Sequence, residues 1–126
     1  MDYISVGVII SSDKDYSKII TEKLNIMPTK TINKDNIKLA AYQHYEWQYK
    51  VEKNANTVSE VFDYMLDILE GKESTINDCV SVANGNICFV VTVHAVNDKP
   101  EVILPKRVID FAYKIGAEIH FDLYYF

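Results

Sequence analysis

A chain of 126 residues, 48% apolar and 25% charged, has the size and balance of one globular unit, not of a disordered or fibrous chain. Folding at this length removes about two thirds of the unfolded chain's surface from water, enough for a core without cross-links. The net charge of -5 comes without the clustered Lys/Arg surface that counterion-release binding requires, so nucleic acid is not an expected partner.

The first apolar run, Tyr3 to Ile10, places Ile4, Val6, Val8 and Ile10 on one face at period two and predicts a strand. Ser11 to Asp15 supplies helix caps, and Tyr16, Ile19, Ile20 and Leu24 then recur at helical spacing, with Pro28 as the expected stop. Thr29 to Gln43 is polar without a clear period and is expected to be mostly loop, apart from a short strand or edge cover over Ile37 to Ala41. Its lysines, Lys30, Lys34 and Lys38, are interrupted by Asp35 and read as a solvated loop, not a phosphate site. From His44 to Glu52 the alternation is clean, with Tyr45, Trp47, Tyr49 and Val51 turned to the core.

Thr57-Val58-Ser59-Glu60 fits a capping box ahead of an apolar stripe of Val61, Phe62, Met65, Leu66 and Leu69, which ends at Gly71. A second helix is expected from Ser74 to about Ala83, stopped by Asn84-Gly85. Asn86 to Val96 is apolar on both faces and β-branched, as in a strand from the middle of a sheet, and His94 within it reads as a satisfied core histidine. Pro105 suits the first turn of a further helix with Val108, Ile109, Ala112 and Ile115 inward and Gly116 as its end. Ile119, Phe121, Leu123 and Tyr125 alternate with Glu118, His120, Asp122 and Tyr124 in a closing strand.

The order β-α-β-α-α-β-α-β, with one apolar stripe per helix and one polar face on the second long strand, predicts an α+β fold. A mostly antiparallel sheet of four or more strands should carry its helices largely on one face. No linker, repeat or low-complexity tract divides residues 1–126, so a single domain is expected. No apolar run is long enough for a membrane span, and Met1-Asp2 leads straight into a strand without a basic n-region, which together favour the cytoplasm. Cys79 and Cys88 lack C-x-x-C spacing and read as reduced, buried thiols.

Three stretches carry a resemblance. They are Leu24-Asn25-Ile26-Met27-Pro28-Thr29-Lys30-Thr31, the aromatic strand Tyr45-Glu46-Trp47-Gln48-Tyr49, and the closing segment from Leu104 through Tyr124. In this order they resemble the bacterial family known as domain of unknown function 4279. The resemblance implies an α+β fold and a bacterial or phage origin, and it brings no catalytic residues and no reaction with it. Leu104 stands where that family often carries a polar helix cap.

No glycine-rich phosphate loop and no activated nucleophile are recognisable, so neither a nucleotide nor any other cofactor is expected. Two surfaces remain. His44 with Glu46 and His120 with Asp122 would supply imidazoles and carboxylates for a transition metal if their strands paired. Asp13, Asp15, Asp63, Asp67 and Glu70, in a chain with nine tyrosines, suit a surface that steers a basic protein. The expected function is therefore a non-catalytic protein-binding module, such as an immunity-type or other antagonist protein, docking through Asp63, Asp67 and Glu70. The alternative is a small-molecule or metal-binding domain using His44, Glu46, His120 and Asp122.

Overall fold

The computed structural model describes residues 2–36, 44–97 and 99–126. The expected element over Ile37 to Ala41 lies outside the described residues, as does Lys38. Five strands form one sheet, β1 (Tyr3–Ser12), β2 (Lys30–Ile32), β3 (Tyr45–Lys53), β4 (Asn86–Ala95) and β5 (Glu118–Tyr125). Among the described residues there are also four α-helices, α1 (Ser17–Leu24), α2 (Val58–Leu69), α3 (Glu73–Ala83) and α4 (Lys106–Lys114), and one 3-10 turn at Lys34–Asn36.

The strand order is β2-β3-β1-β4-β5, antiparallel except for β4 and β5. That parallel pair follows from the chain between them, because parallel neighbours need a crossover and α4 supplies it. Ile4, Val6, Val8 and Ile10 of β1 sit opposite Val93, Val91, Phe89 and Ile87 of β4, and all eight are buried. Val58, Val61, Phe62, Met65, Leu66 and Leu69 of α2 join the same cluster, as do Ile20, Leu24, Ile76, Cys79, Val108, Phe111 and Ala112 of the other helices. The helices therefore lie on one face of the sheet. Trp47 is 1% exposed, and its indole N–H donates to Thr21 Oγ1 at 3.0 Å, which ties β3 to α1.

Several expectations are corrected. Asn25, with φ of 55°, ends α1 before Pro28 is reached. Lys30–Ile32 is a short edge strand inside the stretch read as loop. Ile19 and Ile109 are 40% and 53% exposed, and in α4 Phe111 takes the inward place. His94 is not in the core. It lies on the sheet's open face, stacked on Tyr3 with ring centroids 5.1 Å apart. Cys79 on α3 is buried, whereas Cys88 is only half-buried on the open face, and both are free thiols.

Candidate functional site

Thr57 caps α2 by accepting from the Glu60 backbone N–H at 3.2 Å. Once the apolar stripe of α2 is seated on the sheet, the opposite side must face water. Glu60, Asp63, Asp67 and Glu70 fall there at intervals of three and four residues, all exposed, with Tyr64 beside them. Like charges at this spacing repel.

A guanidinium offsets much of the repulsion, with a smaller effect of Lys114 on Glu70. Arg107 of α4 donates from Nε to Glu70 Oε1 at 2.8 Å, from Nη1 to Asp63 Oδ1 at 3.0 Å and from Nη2 to Asp67 Oδ1 at 2.9 Å. Its hydrogen bond holds the Glu70 carboxyl below the ordinary carboxylate value, against a smaller opposing effect of desolvation. The bonds to Glu70 and Asp67 raise the guanidinium in turn, so Arg107 stays charged. Four carboxylates against one guanidinium leave the row negative, and the fork of Arg107 fixes the spacing of three of them. Beside the row an open groove of about 520 Å³ runs between the α2–α3 turn and α4, lined by Glu70, Glu73, Arg107, Asp110, Phe111 and Lys114. On the other side Lys53 lies over the Tyr64 ring, 4.5 Å from its centroid.

The sequence reading missed Arg107. One signal was present. Lys106 and Arg107 occupy the first turn of α4, where the helix dipole favours anions, so a cation held there points to a partner on another element. Of the other acids, Asp15 accepts from the Ser17 backbone N–H at 3.1 Å at the start of α1, away from the α2 row.

The second candidate set is not brought together. His44 precedes β3 and Glu46 lies within it, while His120 and Asp122 lie on β5. β1 and β4 stand between those strands, which separates the two pairs by three strand spacings, about 14 Å. His120 Nε2 instead lies 3.0 Å from Glu118 Oε1 on its own strand. Among the described residues no three His, Cys, Asp or Glu side chains form a metal-binding group. Burial pushes both thiols up, Cys88 further supported by the nearby carboxylates of Glu46 and Glu118, the opposite of what an activated nucleophile requires. No described helix is long and apolar enough to cross a membrane.

No curated protein and no solved structure matches the chain. A family model, described as Domain of unknown function (DUF4279), matches residues 3–126. Given a match over nearly its whole length, in the order of the three stretches that carry the resemblance, the chain belongs to the DUF4279 family.

Proposed function

We propose that this chain is a non-catalytic protein-binding module that docks a basic protein on the exposed side of α2, an immunity-type or antagonist protein being its specific form. The observation that carries the reading is the row Glu60, Asp63, Asp67 and Glu70, three of whose carboxylates are held by the Arg107 guanidinium. A row of like charges on a helix costs stability, and its first use is to attract an opposite surface. Preorganisation by Arg107 lowers the ordering cost that flexible acids would meet on association. Tyr64, 52% exposed, adds a side chain of the amphipathic kind that interfaces favour.

The test is triple charge reversal, Asp63→Lys, Asp67→Lys and Glu70→Lys, which leaves the buried stripe of α2 but removes the bonds of Arg107, with Arg107→Ala, which loses the same bonds and keeps the carboxylates, as the control. Affinity capture from the native host, followed by mass spectrometry, supplies the partner. Association with that partner should slow and lose much of its salt dependence in the variant, while circular dichroism stays that of the parent. Unchanged association refutes this surface.

A further inference from the structure

The two edges of the sheet differ in kind. β2 is three residues long and begins with Lys30, the short and charged form that discourages a further strand. β5 is eight residues long, and among the described residues no strand pairs with its outer side. Phe121, Leu123 and Tyr125 share the helix-side face with buried residues of β4, yet they are 40%, 46% and 40% exposed. Long apolar edges of this kind are normally covered, charged or paired.

The direction of the backbone groups sharpens the point. The N–H of Phe126 donates to the Ala95 carbonyl at 3.0 Å. By alternation, the even-numbered residues of β5 turn their backbone groups to β4, and Ile119, Phe121, Leu123 and Tyr125 turn theirs outward. The residues free to extend the sheet are therefore the apolar ones.

We infer that β5 pairs antiparallel with β5 of a second copy of this chain, about a two-fold axis passing through Phe121 perpendicular to the sheet. In this register Phe121 opposes the partner subunit's Phe121, and Ile119 opposes the partner subunit's Leu123, all on the helix side. On the open face His120 opposes the partner subunit's Asp122, and Glu118 opposes the partner subunit's Tyr124. Charge selects this register over its neighbours. Sliding by two residues one way sets Glu118 against the partner subunit's Asp122, and sliding the other way sets Asp122 against the partner subunit's Asp122, like charges directly across a strand pair. A one-residue slip would oppose helix-side and open-side residues. The strand is thus complementary to itself, as an isologous contact must be. This surface is separate from the α2 row and stands or falls independently of it.

Sedimentation equilibrium on the full chain over a dilution series tests the inference. The expected result is a reversible dimer at twice the 14.5 kDa of the chain, and a monomer at every concentration overturns the proposal. His120→Asp, at a position whose side chain is 56% exposed, sets like charges across the axis and should weaken the dimer by about tenfold. His120→Asp combined with Asp122→Lys sets opposite charges across the axis and should recover most of that loss. Phe121→Lys should give a monomer with the parent's circular dichroism. A dimer indifferent to His120→Asp, or one weakened by it and not recovered by the double variant, overturns the assignment to β5, whatever Phe121→Lys does.

Discussion

Replacing Gly85 with alanine should be among the most damaging single-methyl additions in this chain, although the φ of Gly85 is not one that requires glycine. A Cβ at this position would lie 1.8 Å from the Ser11 carbonyl oxygen and 2.9 Å from its carbon. Ordinary non-bonded contacts begin near about 3.5 Å, so backbone must move by more than 1 Å. Neither side yields easily. Ser11 belongs to β1, paired on both edges with β3 and β4, and Gly85 joins α3 to β4 with its N–H bound to the Val80 carbonyl at 3.1 Å. Overpacking against fixed backbone costs about 3 kcal/mol, which at this chain length lowers the thermal midpoint by about 10 °C. Gly7→Ala is the control, because its Cβ would meet nothing nearer than 3.8 Å. Thermal unfolding followed by circular dichroism decides the matter. A Gly85→Ala protein that melts with the parent would refute the close approach of the α3–β4 turn to β1.

Other outcomes follow from the same geometry. Because the folded pKa of Glu70 lies below its unfolded value, its contribution to stability is present above the unfolded pKa and is lost as pH falls through the folded one. In Arg107→Ala the Glu70 midpoint, read by NMR titration, should rise. Burial of both thiols predicts slow modification by a thiol reagent at neutral pH, Cys79 slower than the half-exposed Cys88, and a large acceleration on unfolding. Adding Zn²⁺ or Mn²⁺ should leave the thermal midpoint unchanged, since His44 and Glu46 lie three strand spacings from His120 and Asp122, and a clear rise would reveal a site built from other residues.

What period and capping carry was legible in the sequence. The alternation in Ile4 to Ile10 and the stripe from Val61 to Leu69 depend on each residue's own neighbours, and both elements stand as read. The end of α1 is a competition between two local stops, and Asn25, which tolerates the left-handed conformation, acts three residues before Pro28 can. β2 shows no period because three residues at an edge are held by pairing with β3, not by a buried face of their own. Strand order is not local at all. β1 and β4 stand between β3 and β5, and the register adds an offset along the strands: Glu46 is level with Ser11 and Asn86, whereas His120 is level with Val90, Gly7 and Lys50, so His44 and Glu46 do not meet His120 and Asp122. Arg107 lies 37 to 44 residues from the carboxylates it binds, so its role appears once α4 has crossed over the sheet and docked beside α2.

The most direct test of the proposed function compares the parent chain with the Asp63→Lys, Asp67→Lys, Glu70→Lys variant as paired baits in affinity capture from the native host. The captured protein is then purified and its association rate with each chain measured across ionic strength. The proposal predicts a specific basic protein whose association with the parent slows steeply as salt rises, and whose association with the variant is slower and nearly flat. A protein retained equally by both chains, with the same salt dependence, would contradict it.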